Sequence, residues 1–344
     1  MNLIAESYVH TIDPFAIQLT DTFGLRWYGL AYMAGFVIAW IVMRKMASTG
    51  RFLLARSMVG DLMTWSIVGV LVGGRLGHVL FYEPSLLWKF TSEIPFWGVL
   101  EIHRGGMASH GGILGVIIAC TIFAIRRSIP PMHVLDIVAF VAPPGLGLGR
   151  MANLVNAEHR GEPLPESMQA NPPWWSVKYP DEVLDPAYAD PSRLEPLRMM
   201  VDPSMEFPQS LYVAAYSGRQ DVVDALSPML TAHYPSQVFQ FISDGIILWA
   251  VLAIAWLKPR RAGVISAWFL MAYGVLRILT EQYRGRIDDV FMIGPVEMPE
   301  LLSILMILVG MLLLLIFTRA KGPLYGGLLE GGPVNPRPDG STGR

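Results

Sequence analysis

Seven stretches of this 344-residue chain, near 24–43, 61–82, 107–125, 132–150, 238–257, 263–283 and 300–318, are apolar over about 20 residues each. That is the length a helix needs to cross ~30 Å of hydrocarbon. The chain therefore reads as an all-α polytopic membrane protein with about seven transmembrane helices. Composition agrees: 16% of the residues are charged, against about 25% in soluble domains. The fourth run is irregular, because Pro143-Pro144 and the sequence GLGLG interrupt it. A helix broken at membrane depth is tolerated only where it faces protein or a water-filled cavity.

Loop charge orients the spans. Arg44, Lys45, Arg51, Arg56, Arg126, Arg127, Lys258, Arg260, Arg261, Arg319 and Lys321 fall in alternate loops; Arg26, Lys89, Arg104, Arg284 and Arg286 fall on the other side. Eleven against five places the first set in the cytoplasm, so the N-terminus is outside and the C-terminus cytoplasmic. The connection 151–235 then lies outside. It holds 12 of the 26 prolines, with 12 acidic against 5 basic residues. It is too long for a plain loop and is expected to form a small extracytoplasmic head between helices 4 and 5, with Trp174-Trp175 at the interface. The expected organisation is helices 1–4 over 1–150, the head over 151–235, helices 5–7 over 236–321, and a Gly/Pro-rich, disordered tail over 322–344. The N-terminus lacks the basic and apolar regions of a cleaved signal peptide. Cys120, the lone cysteine, lies within an apolar run and reads as a packed hydrophobe. A net charge of −2 without a basic patch gives no nucleic-acid signal.

Charged residues inside such runs are costly and mark a functional site by default. Arg75, His78 and Tyr82 share one face near the outer end of helix 2, and His110 lies in the first turn of helix 3. Arg150 ends helix 4, and Arg277, Glu281 and Arg284 form one stripe at the outer end of helix 6. Singly, each has a plain explanation. Arg277–Glu281 is ideal i,i+4 ion-pair spacing, arginines near helix ends snorkel to the headgroups, and a lone membrane histidine is usually a satisfied polar residue. Together, at one expected depth, they point to a site. Arginine forks bind phosphate oxygens bidentately, glycines at 105, 106, 111, 112, 145, 147 and 149 allow close approach of a lipid, and a histidine can take a proton. Two classes remain open on these residues: an enzyme acting on an anionic lipid, or a lipid-binding transporter.

Six motifs narrow the choice. RWYGLAYMAGF opens the first span, GGRLGHVLFY closes the second, GGMASHGGILGV opens the third and GRMANLVNAEHRG follows the fourth. YPSQVFQ opens the fifth and YGVLRILTEQYR closes the sixth. In this order, from about Pro14 to Arg319, the chain resembles the prolipoprotein diacylglyceryl transferases. The resemblance implies a bacterial inner-membrane enzyme that moves the diacylglyceryl group of phosphatidylglycerol onto the lipobox cysteine thiol of a prolipoprotein signal peptide. The implied products are a thioether and glycerol phosphate, and no metal or organic cofactor is implied. The family's key histidine maps to His110 and its arginines to Arg150 and Arg277 as the catalytic set. Tyr28, Asn153, Glu158, Tyr273 and Glu281 match further family positions, and the charge stripes add Arg75 and Arg284 to the expected substrate-binding residues. The family pattern GRxGNFxNGE reads GRMANLVNAE here, with Ala152, Leu154 and Ala157 at three motif positions. The alternative is a re-tasked paralogue that binds or transports anionic phospholipid; transport would need an inner polar site, for which only Asp244 is available. A hydrolase using Ser109 beside His110 is disfavoured, because adjacent helical residues point apart.

Overall fold

The computed structural model describes residues 7–18, 24–92, 94–101, 105–285, 292–293 and 296–330. Among them are seven helices long and apolar enough to cross a membrane. These are α1 (Trp27–Ser48), α2 (Val59–Phe81), α3 (Ser109–Arg126) and α4 (Pro131–Val155), then α5 (Ser236–Ala255), α6 (Val264–Glu281) and α7 (Met298–Arg319). Each falls within a few residues of its expected run. Arg104 and Arg286, used to orient the spans, lie outside the described residues.

One expectation is corrected. The fourth helix is not broken: α4 is helical from Pro131 through Val155, across both prolines and the glycine row. The glycines form a packing face instead. A Cβ at Gly35 of α1 would lie 3.0 Å from Cα of Gly145, and a Cβ at Gly147 would lie 2.9 Å from Cα of Gly245 in α5. Small residues at these points let helix backbones meet in a membrane, where van der Waals packing is a main driving force. The irregular segment is in α5 instead, where Phe241–Ile247 winds as a π-helix. Such bulges occur frequently at functional sites.

The chain divides into two compact units. The first comprises Met1–Gly35, Pro144–Ile247 and Tyr273–Leu305; the second comprises Phe36–Pro143, Leu248–Ala272 and Met306–Arg344. In the first unit, the segment between α4 and α5 folds as short helices over its own core of Val183, Leu194, Leu197, Leu211, Val222 and Leu226. Its prolines are placed where they do little harm: Pro180 and Pro191 each sit in the first turn of a short helix, where the missing N–H would lack a partner anyway. Tyr8–Val9 pairs in parallel with Val177–Lys178, tying the start of the chain to this segment.

In the second unit, α2 and α3 pack through glycines. Gly69, Gly73 and Gly77, one per turn of α2, face Gly111 and Gly115 of α3; a Cβ at Gly69 would lie 2.7 Å from the Gly115 carbonyl oxygen. Gly111, expected to admit a lipid, is therefore occupied by a neighbouring helix. Cys120 is buried beside Ser66, 3.4 Å from its Oγ. The expectation of a disordered tail over 322–344 is corrected for residues 322–330. The amides of Tyr325, Gly326 and Leu328 donate to the carbonyls of Arg260, Arg51 and Trp256, and Arg51 Nη1 donates to the carbonyls of Gly327 and Leu328 at 2.8 and 2.9 Å. Residues 331–344 lie outside the described residues.

Candidate functional site

The first unit gathers most of the expected site residues. Arg150, near the end of α4, donates from Nε to Oδ2 of Asp244 at 3.2 Å. Asp244 is fully buried, and its other oxygen accepts from Ser243 Oγ at 3.0 Å. Asp244 thus belongs to the arginine cluster rather than to a separate inner polar site, which corrects its expected place. The π-helical turn carries it, and the Gly147–Gly245 approach brings its helix close to α4, less than one turn from Arg150.

On α6, Arg277 Nη2 pairs with Glu281 Oε2 at 2.7 Å, and Arg284, three residues past the end of the helix, brings Nη1 to 3.4 Å from Glu281 Oε1. The i, i+4, i+7 spacing read from sequence therefore becomes one carboxylate between two guanidiniums. Arg277 Nη1 is buried and has no hydrogen-bond partner among the described residues. Arg284 also donates from Nη2 to Nδ1 of His159 at 3.2 Å. Partial burial, then the positive charges of Arg284 and Arg150, push the His159 pKa down. Burial and the neighbouring Arg277 and Arg150 lower that of Arg284, against the opposing pull of Glu281. Three guanidiniums thus feel one another while two carboxylates, Asp244 and Glu281, sit among them.

A second group braces the turn after α4. Tyr28 Oη donates to Glu158 Oε2 at 2.6 Å, and Asn153 Nδ2 hydrogen-bonds Tyr28 Oη. From the start of α5, Gln237 Nε2 donates to the Glu158 carbonyl at 2.8 Å and Ser236 Oγ to that of His159 at 3.0 Å. Ala157 and His159 adopt φ of 54° and 52°, the left-handed region, which places Glu158 on a sharp turn. Tyr273 lies one turn before Arg277 on α6.

Arg75 and His110 belong to the second unit. Arg75 is 5% exposed. Its Nε donates to the carbonyl of Val99 at 2.6 Å, Nη2 to that of Gly98 at 2.7 Å, and Nη1 to those of Gly105 and Gly106 at 2.8 and 3.1 Å. Four donations to backbone carbonyls make it a fastener of the loop before α3, not the open phosphate ligand expected. His78 stacks on Tyr82 and lies 3.5 Å from Glu83. His110 is exposed in the first turn of α3.

Sequence reasoning missed His159, Ser236, Gln237 and the true partner of Arg150. Ser236 and Gln237 stand in the YPSQVFQ motif, so that motif was their signal. Asp244 carried one too, as a lone acid within an apolar run. His159 stands in the GRMANLVNAEHRG motif, but nothing in that motif said that it faces Arg284, 125 positions away.

Chemically, the first unit offers forked cations that are only partly neutralised, which suits a phosphate oxygen. A family model described as prolipoprotein diacylglyceryl transferase matches residues 14–316. Curated relatives named phosphatidylglycerol–prolipoprotein diacylglyceryl transferase are 36% identical in Bdellovibrio bacteriovorus, over 91% of this chain and 94% of the relative. They are 33% identical in Cereibacter sphaeroides, over 88% and 94%, and 32% identical in Ralstonia pickettii, over 90% and 95%.

Proposed function

The chain belongs to the prolipoprotein diacylglyceryl transferase family, and from that premise we propose how its residues carry out the transfer. The protein is a multi-pass membrane enzyme that moves the diacylglyceryl group of phosphatidylglycerol onto a prolipoprotein. The acceptor is the lipobox cysteine thiol of a signal peptide in the bacterial inner membrane, with the C-terminus of the enzyme cytoplasmic.

The bond that forms joins the cysteine sulfur to the terminal glyceryl carbon. The bond that breaks joins that carbon to the phosphate oxygen, which leaves with the electron pair as glycerol phosphate. The thiol proton must go to a base. Arg150, Arg277 and Arg284 bind the phosphate and stabilise the charge that grows on the leaving oxygen. In a site that excludes water this is usually the largest catalytic contribution. Asp244 and Glu281 hold the guanidiniums in place, while Tyr28, Asn153 and Glu158 brace the turn beside them. Tyr273, one turn from Arg277, lies against the same substrate. His110 takes the proton from a thiol of ordinary pKa ~8.5, a role worth roughly 10²–10⁴ in rate.

The observation that carries this reading is the partial neutralisation of the three arginines, with Arg277 Nη1 buried and unpartnered among the described residues. Purified enzyme, phosphatidylglycerol and a lipobox peptide provide the test, followed by peptide mass and glycerol phosphate release. A diacylglyceryl mass gain that vanishes in Arg150→Ala and with a Cys→Ser peptide supports the reading. Lipid binding without transfer would replace it with a re-tasked, lipid-carrying paralogue.

A further inference from the structure

His159 is absent from the residues assigned above, yet its contact with Arg284 fixes its tautomer. Its Nδ1 faces Nη2 of Arg284 at 3.2 Å. A guanidinium has donors only, so Nδ1 must accept, and a neutral ring with a lone pair on Nδ1 carries its proton on Nε2. His159 therefore cannot serve as a base through Nε2 while this bond stands; it is an uncharged N–H donor. The left-handed backbone at residue 159 and the Ser236 Oγ bond to its carbonyl hold the ring there. Among the described residues Nε2 has no partner.

The ring lines an open cavity of about 480 Å³ together with Arg160, Glu162, Tyr188, His233 and Arg284. Two of these basic groups are already engaged: Arg160 pairs with Asp181, and His233 lies between Glu182 at 2.5 Å and the Gly161 carbonyl at 2.9 Å. Arg284 and His159 are left as the cation and the neutral donor facing the space. Arg284 is also the member of the arginine cluster shared between Glu281 and this cavity. The wall mixes polar groups, the Glu162 carboxylate among them, with Ala157 and Pro163, and the space is wide enough for a small phosphate monoester.

We propose that this cavity is the release site for the water-soluble phosphate monoester, in which Arg284 and the Nε2–H of His159 hold phosphate oxygens after the carbon–oxygen bond has broken. The assignment rests on the transferase reading for the identity of the ligand, glycerol phosphate. A neutral donor beside a cation suits release, because it orients the dianion without adding the second full charge that would trap it.

The test titrates glycerol phosphate, and separately inorganic phosphate and glycerol, into full-length protein in detergent without lipid, followed by calorimetry. Wild type is expected to bind both phosphates and not glycerol. His159→Leu should weaken phosphate binding roughly ten- to a hundredfold, the loss of one hydrogen bond to a charged ligand. His159→Gln, whose amide can both accept from Arg284 and donate onward, should stay within about twofold. Equal binding by wild type and His159→Leu, or no binding by wild type, overturns the proposal. Peptide transfer measured on the same preparations separates the two readings: binding without transfer removes the transferase assignment and leaves the anion site, whereas transfer without binding removes the release site alone.

Discussion

Arg75 in the second unit and the arginine cluster in the first serve opposite ends. In the second, Arg75 turns four donations onto the carbonyls of residues 98, 99, 105 and 106. Asp136 there accepts from the amides of Gly263 and Ser266 and from Ser266 Oγ, all at 2.7 Å, closing the start of α6. Both face neutral partners and are nearly saturated. In the first unit, Arg150, Arg277 and Arg284 face carboxylates, yet each guanidinium keeps donors that no described residue takes. Burial alone does not distinguish a fastener from a ligand-binding group. What distinguishes them is how many donors the protein leaves open, because a saturated arginine has nothing to offer a phosphate.

The sharpest way to break this comparison is to exchange the effects of the two kinds of arginine. Arg277→Lys keeps the charge and loses the fork, and Arg150→Ala loses both. Each is expected to lower transfer by about 10²–10³, the cost of removing one transition-state donor. The thermal midpoint should stay nearly unchanged in Arg277→Lys, which keeps a cation beside Glu281, and should fall in Arg150→Ala, which leaves the buried Asp244 carboxylate without its partner. Initial rates and unfolding curves on the same preparations check this; full activity in Arg277→Lys would end the bidentate assignment.

Arg75→Met should do the reverse. It leaves the buried Val99 carbonyl without a donor and the Gly98 carbonyl with the Glu101 amide alone, for roughly 1–3 kcal/mol of destabilisation, read as a lower thermal midpoint. The KM for lipid of the folded fraction should not move. A KM that rises with the activity loss would transfer Arg75 to the ligand and dissolve the contrast.

His10 sharpens the comparison from the side of a buried base held neutral. It is fully buried, with Nδ1 3.0 Å from Tyr216 Oη and Nε2 unpartnered among the described residues. Burial holds its pKa at about 4, below the ordinary 6.5. The unfolded chain therefore binds the proton first. Stability is complete above pH 6.5, falls as pH drops toward about 4, and levels off below. At ~1.4 kcal/mol per pH unit the loss reaches at most about 3.5 kcal/mol. Hydrogen exchange of the 177–183 amides at pH 7, 5.5 and 4.5 measures it, and His10→Phe should flatten the profile. Asp181, whose carboxyl burial pushes up, contributes with the opposite sign, so the variant isolates His10.

The smallest effect belongs to the turn beneath the arginines. Ala157 stands where the family pattern has glycine and holds φ of 54°. Ala157→Gly should stabilise by about 0.5–1 kcal/mol, because glycine enters the left-handed region without steric cost. A destabilised variant would mean that packing of the Ala157 methyl outweighs its backbone strain.

Sequence legibility divides along the same line. Helix ends and the stripe Arg277–Glu281–Arg284 were readable because helical periodicity is local. The motif residues Tyr28, Asn153 and Glu158 were readable as candidates, while their hydrogen bonds to one another, across as many as 130 positions, were not. Arg75 and Arg150 looked alike, each an arginine inside an apolar run. Nothing local said that one would meet a loop of carbonyls and the other a buried carboxylate. The glycine rows misled for the same reason: GLGLG is a breaker by propensity, and only a partner backbone at Gly35 and Gly245 turns it into a packing face.

The sequence by itself determined that this chain has seven spanning helices and which ionisable groups they carry. Apolar length and charge are properties of single segments, and the cost of a charge in lipid does not depend on the rest of the fold. The tertiary structure decided which charges are saturated, that Asp244 answers Arg150, and that His159 keeps a free N–H. Hydrogen-bond capacity is consumed by whichever groups meet in space, and that meeting is set by helix packing across long sequence separations.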